Sequence, residues 1–269
     1  MQYEWIKNVA TMSSDYTFIR FHNKFDKKIE PNTLPKNLKT LTFGCDFNQK
    51  IESNTLPKNL TILTFGRDFN QKIEPNILPK NLKSLTFGQS FNQKIEPNTL
   101  PKNLTTLNFG YDFNQGIELN TLPKNLTTLT FGSLFNQKIE LDTLPKNLTT
   151  LIFGYLFNQK IDLNTLPENL TDIKFNWTYL TKYDSIKHYI KMINDIPNYY
   201  YVEIFLTNNI FNIDEPKWPI HVVDYKEDEW SSEIYEIRDK YSHQIYGSIT
   251  ILINKESYES YSHAKSALK

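Results

Sequence analysis

Apolar residues recur along this chain with a fixed period. Leu38, Leu41 and Phe43 lead into Phe47 and Ile51, and the pair Leu56-Pro57 opens the next unit. The same order returns every 22 residues, with Leu-Pro pairs beginning at Leu34, Leu56, Leu78, Leu100, Leu122, Leu144 and Leu166. The second phenylalanine of each unit falls at Phe25, Phe47, Phe69, Phe91, Phe113, Phe135 and Phe157. Such a period predicts a solenoid. One unit is too small to bury its own apolar face, so successive units stack and share a continuous core.

Within a unit, Leu41 and Phe43 alternate with Thr40 and Thr42. That is the two-residue period of a half-buried strand, and Thr and Phe suit a pleated surface. Strands are predicted at 40–43, 62–65, 84–87, 106–109, 128–131, 150–153 and 172–175, with a degenerate first strand at 17–21. Gly44 and its equivalents end the strands at a turn that a side chain would hinder. Asn48 and its equivalents are placed to bond from coil to coil, and Asp26 takes that place in the first coil. The Leu-Pro pairs, with Pro31, Pro75 and Pro97, argue against a helix on the return side and predict extended backbone and turns. The expected fold is an α/β-type repeat: a parallel-β solenoid of about eight 22-residue coils over residues 16–176.

The flanks read differently. Residues 1–15 form an N-terminal cap, in which Trp5, Ile6, Val9 and Met12 have helical spacing and would cover the open first coil. Residues 177–269 form a small C-terminal α+β region. Helices are predicted after Asp184 or Ser185, with Ile186, Tyr189, Ile190 and Ile193 on one face, and over 231–241. Strands are predicted at 199–206, 220–225 and 246–254.

Thirty basic and 30 acidic residues balance to a net charge of zero, which argues against a nucleic-acid or membrane-surface binder. One cysteine, Cys45, gives no disulfide framework and suits a reducing compartment. With no apolar run of signal or membrane-span length, the expected location is cytoplasmic. Asn-Leu-Thr triplets at Asn59, Asn103, Asn125, Asn147 and Asn169 are then repeat residues rather than glycosylation sites. Columns of Lys50 and Glu52 equivalents predict a self-compensating outer face.

The chain shows no phosphate loop, nucleophile elbow, dinucleotide fingerprint or zinc spacing, so no catalytic, cofactor or metal residues are expected. His221, Asp224 and His243 are the strongest catalytic candidates, and a scattered set of this kind is ordinarily surface polar residues. The phenylalanine stripe is read as core, not as a ligand platform. Function is sought where the repeat leaves residues unfixed. The two positions after each glycine drift from Cys45-Asp46 and Arg67-Asp68, through Tyr111-Asp112, to Ser133-Leu134 and Tyr155-Leu156. The outward strand position changes from Thr42 to Ile152. Arg67, Tyr111, Leu134, Ile152, Tyr155 and Leu156 are therefore the candidate partner-binding residues. Leu134, Ile152, Tyr155 and Leu156 would form an apolar patch, either open to a protein partner or covered by residues 177–269.

The Leu-Pro pairs, the L-x-x-L-x-F-G strands and the Phe-Asn pairs resemble the FNIP repeat, a short relative of the leucine-rich repeat found in social amoebae and giant amoebal viruses. The resemblance covers residues 16 to about 176, with Phe-Asn-Gln-Lys-Ile where the family name has Ile-Pro. It implies a leucine-rich-repeat-like solenoid acting as a non-catalytic protein–protein interaction scaffold, in the host cytoplasm if viral. Many viral members carry an F-box before the repeats. An alternative implied role is thus substrate recognition for a ubiquitin ligase, with ligase components as partners. Residues 1–15 lack the leucine-rich helical pattern of an F-box.

Overall fold

The structure, a computed structural model, describes residues 3–175 apart from 158, 160 and 162, and the strands 201–206, 222–223 and 247–252. Each coil is one short strand and three tight turns. In the coil that opens at Thr40, strand β3 (Thr40–Thr42) runs into a first corner, where Phe47 N–H bonds to the Gly44 carbonyl. At the return corner, Thr55 N–H bonds to the Glu52 carbonyl, and at the Leu-Pro corner Leu60 N–H bonds to the Pro57 carbonyl. The chain then enters β4 (Ile62–Thr64).

The same geometry gives β5 (Ser84–Thr86), β6 (Thr106–Asn108), β7 (Thr128–Thr130), β8 (Thr150–Phe153) and β9 (Asp172–Phe175). With β2 (Phe18–Phe21) they make a run of parallel strands in strict 22-residue register, Leu41 opposite Leu63 opposite Leu85. Six apolar columns fill the interior. Leu34, Leu38, Leu41, Phe43, Phe47 and Ile51 are each at most 3 % exposed, and their equivalents remain buried through the coil of Leu144, Leu148, Leu151, Phe153, Phe157 and Ile161.

The N-terminal segment departs from the helical expectation. Helix α1 is a single turn, Glu4–Lys7, and β1 (Ala10–Met12) then adds antiparallel to β2. An open sheet edge presents unpaired backbone groups, and a strand satisfies more of them than a helix does. Ile6 is nevertheless fully buried against the core, and Trp5 stacks 6.2 Å from Phe21.

The sheet continues past Phe175. Strand β10 (Tyr201–Leu206) pairs parallel with β9, placing Lys174 opposite Glu203. Strand β12 (Gly247–Leu252) pairs antiparallel with β10 and parallel with β11 (Val222–Val223). These strands fall within the three stretches read as strands in that half. The helices expected after Asp184 and over 231–241 lie outside the described residues.

Glycine serves a purpose other than the one expected. No glycine has a positive φ. A Cβ on Gly66, Gly88 or Gly110 would instead collide with the carbonyl oxygen of the glycine one coil earlier. The requirement is close backbone approach between coils, not an unusual turn conformation. The left-handed residues of the return corner are Asn32, Asn54, Asn76, Asn98, Asn120 and Asp142, with φ between 61° and 66°, and Tyr16 before β2 has φ 58°. In Glu74-Pro75-Asn76-Ile77 the proline precedes the left-handed asparagine, and Ile77 N–H closes on the Glu74 carbonyl. That is the residue order of a type II turn, and Asn tolerates the left-handed region better than other side-chain-bearing residues.

Side chains extend the ladder. Asn48 Oδ1 accepts from Asn70 N–H at 2.9 Å and from Gln71 Nε2 at 3.0 Å, and the pattern repeats coil by coil. Asp26 heads it, accepting from Asn48 N–H and Gln49 Nε2. Coil spacing grows away from the sheet. Adjacent strands lie ~4.8 Å apart, whereas Phe43 to Phe65 is 5.5 Å and Phe47 to Phe69 is 6.2 Å. The coils therefore splay, with the strand face on the tighter side.

One internal column is imperfectly satisfied. Thr99 and Thr121 are buried at 2 % exposure and their hydroxyls lack a hydrogen-bond partner, whereas the equivalent position in an earlier coil is Ile77. Thr121→Val should therefore raise stability by about 1 kcal/mol, because it removes an unpaired buried hydroxyl without changing shape. Urea unfolding of wild type and variant checks this, and a loss of stability would refute it.

Candidate functional site

The three turns give the solenoid three corners, and each exposes its two central residues as columns. At the first corner these are the unfixed pairs: Cys45-Asp46, Arg67-Asp68, Gln89-Ser90, Tyr111-Asp112, Ser133-Leu134 and Tyr155-Leu156. Their variability has a physical reason. The turn is closed by backbone bonds alone, and successive turns are joined by backbone bonds as well. Leu134 N–H reaches the Tyr111 carbonyl and Leu156 N–H the Ser133 carbonyl, both at 2.9 Å. No side chain there is needed for the fold.

This joins Tyr111, Leu134, Tyr155 and Leu156 in adjoining turns. Tyr111 is 47 % and Leu156 44 % exposed, while Leu134 and Tyr155 are half-buried. Ile152 stands on β8 in register between Thr130 and Lys174, and is half-buried. Arg67 lies apart, with the Gln89 coil between it and Tyr111. Its Nε donates to Asp68 Oδ1 at 2.8 Å. That hydrogen bond holds the Asp68 carboxyl below the usual carboxylate range and raises the guanidinium pKa.

The return corner carries an apolar feature that sequence reading passed over. Leu119 and Leu141, in adjacent coils, are 55 % and 58 % exposed. The signal was present in the replacement of Pro31, Ser53, Pro75 and Pro97 by leucine, within a segment read as turn.

The charge columns pair as expected, within coils and between them. Lys94 meets Glu118 of the next coil at 2.7 Å and Lys28 meets Glu52 at 3.2 Å, whereas Lys138 meets Glu140 of its own coil at 2.9 Å. The phenylalanines read as core are buried, in two columns of near-parallel rings; Phe87 and Phe91 are 3.8 Å apart. The amides of the Asn-Leu-Thr triplets hold the lattice: Asn59 Nδ2 donates to the Lys36 carbonyl at 3.0 Å, and Asn103, Asn125, Asn147 and Asn169 repeat this. Among the described residues, no group of His, Cys, Asp or Glu could hold a metal ion, and no helix is long and apolar enough to cross a membrane. His221, Asp224 and His243 lie outside them.

The FNIP Repeat family model matches residues 16–46, 47–90, 91–134 and 135–178 in tandem. The chain belongs to the FNIP repeat family. A search of curated proteins found no match. Among solved structures, the chain is similar to the giant-virus protein CroV588, whose crystal structure is described as a novel circular LRR protein structure. The two share 52 % sequence identity at a TM-score of 0.58. The match covers 58 % of this FNIP chain and 23 % of the CroV588 chain. Repeat solenoids of both descriptions are typical protein-interaction scaffolds.

Proposed function

We propose that this FNIP protein is a non-catalytic scaffold that receives a protein partner in the cytoplasm. The partner docks on the strand face and the adjoining first-corner turns of the later coils. The observation that carries the reading is the drift at the first corner. Where early coils hold Asp46 and Asp68, later ones hold Leu134 and Leu156, with Leu156 44 % exposed beside Tyr155. Exposed leucine contributes nothing to the fold there, and apolar and aromatic anchors are what protein interfaces bury at their centres. Ile152 extends the patch onto the sheet, and Tyr111 continues it toward the earlier coils.

Leu156→Asp should weaken capture of the principal partner by at least about tenfold while leaving the melting temperature unchanged, since buried apolar anchors commonly contribute over 1 kcal/mol. Affinity capture of wild type and variant, read by quantitative mass spectrometry beside thermal melts, measures both quantities. A fall in melting temperature would assign the patch to contact within the chain. No change in either would refute both readings. Ubiquitin-ligase components among the captured proteins would make the scaffold a substrate-recognition subunit.

A further inference from the structure

The balanced net charge conceals a segregated one. The Leu-Pro corner exposes one lysine per coil through six coils: Lys36, Lys58, Lys80, Lys102, Lys124 and Lys146. None of them forms an ion pair among the described residues, in contrast to Lys28, Lys72, Lys94 and Lys138 on the other column. No acidic residue occurs in 31–45, 53–67, 75–89, 97–111 or 119–133, the arcs from the return corner through the strand to the first corner. Five like charges, Lys36 to Lys124, are thus stacked at coil spacing with no acidic residue in their arcs, and Lys146 continues the row with Asp142 in its own arc. The row ends where Glu168 takes the lysine position.

Beside this row lies a shallow groove of about 600 Å³, lined by Asn59, Thr61, Asn81, Lys83, Asn103 and Thr105 among others. The orientation of its amides is set. Asn59, Asn81 and Asn103 each donate from Nδ2 to a lysine carbonyl of the preceding coil at 3.0 Å, which leaves Oδ1 of each as an acceptor. The corner therefore offers a rail of cations and, next to it, a row of acceptors with the same period.

We propose that this corner binds an extended acidic peptide segment of a protein partner, running along the solenoid. Carboxylates would meet the lysines and peptide N–H groups would meet the Asn Oδ1 row. Same-side residues of an extended chain recur at ~6.6–6.8 Å, close to the 5.5–6.2 Å spacing of coils measured at their rings. Lysine stems are flexible enough to absorb the difference. The acceptor row suits a peptide, whose backbone offers N–H donors at a regular spacing, whereas the phosphates that lysines would hold in a nucleic acid are acceptors only. Single-strand binders also present aromatic platforms, and the residues lining this groove include none. The corner is separate from the Leu156 patch, so either surface can fail its test without the other.

The test uses the intact chain and a fluorescein-labelled peptide of about eleven glutamates, long enough to span the row at ~3.3 Å per residue. Polarisation should report saturable binding that weakens progressively as salt is raised from about 0.05 to 0.5 M. Lys58→Glu/Lys80→Glu/Lys102→Glu should weaken it at least about tenfold, like-charge contact being strongly unfavourable. Lys72→Glu/Lys94→Glu/Lys138→Glu should bind as wild type does, and matching circular dichroism and melting curves establish that both triples are folded. Asn81→Ala/Asn103→Ala, which removes acceptors and no charge, should also weaken binding. Absence of binding, or equal loss in the two lysine triples, overturns the proposal. An oligouridylate of equal charge binding as tightly overturns it in favour of nucleic acid. A wild-type oligomer in sedimentation that dissociates in the first triple overturns it in favour of a second copy.

Discussion

Gly110→Ala is expected to destabilise the solenoid by about 3 kcal/mol or more, the upper end of what overpacking costs. The added methyl would be driven into the Gly88 carbonyl oxygen. Both colliding groups are backbone, so neither can rotate away. Relief requires prising two coils apart, and the bonds that join them beside the clash are Asp112 N–H to the Gln89 carbonyl at 2.8 Å and Phe87 N–H to the Asn108 carbonyl at 2.9 Å. The same substitution at Gly116 should have the opposite sign. A Cβ there meets nothing within 4 Å, and φ is not positive. Gly116→Ala should therefore stabilise by about 0.4–1 kcal/mol through the unfolded chain. Urea unfolding of both variants measures the difference. Equal effects would mean that coil approach is not what the strand-end glycines are for.

Phe91→Ala should cost about 3–5 kcal/mol. Phe91 is fully buried, 3.8 Å from Phe87 and 6.2 and 6.1 Å from its column neighbours Phe69 and Phe113. Its removal leaves a gap in a column that adjoining coils cannot close without giving up the bonds from Asn70 Oδ1 to Asn92 N–H and Gln93 Nε2. Phe91→Leu keeps most of the volume and should lose less than half as much. Because each coil touches only its neighbours, amide-exchange protection should fall in the coils on either side of residue 91 and hold near β2 and β9. A uniform loss along the chain, or a change below about 1 kcal/mol, would contradict this.

The repeat made the strands, the buried columns and the Asn ladder legible, because each depends on residue type at a fixed spacing. Leu41 beside Thr40 and Thr42 states a strand wherever it occurs, and Asn48 beside a buried Phe47 states a backbone in need of partners. The first-corner columns were legible for the converse reason: a position that varies inside a strict period is one the fold does not use. The N-terminal strand was not legible, since Val9, Ala10 and Met12 fit either periodicity and the open edge of β2 decided between them.

By itself, then, the sequence determined that the chain is a stacked solenoid and which side chains face inward, since a 22-residue period has one way to bury its leucines and phenylalanines together. Tertiary structure alone decided three things. It turned the strand glycines from turn residues into spacers, because the clash that demands them comes from the preceding coil. It assigned the left-handed turn to Asn54 and its equivalents. And it separated two lysine columns of the same period, one pairing with glutamates at Lys28, Lys72, Lys94 and Lys138 and the other, Lys36 to Lys146, without an ion pair among the described residues, because the acidic residues close to it in sequence lie on other corners.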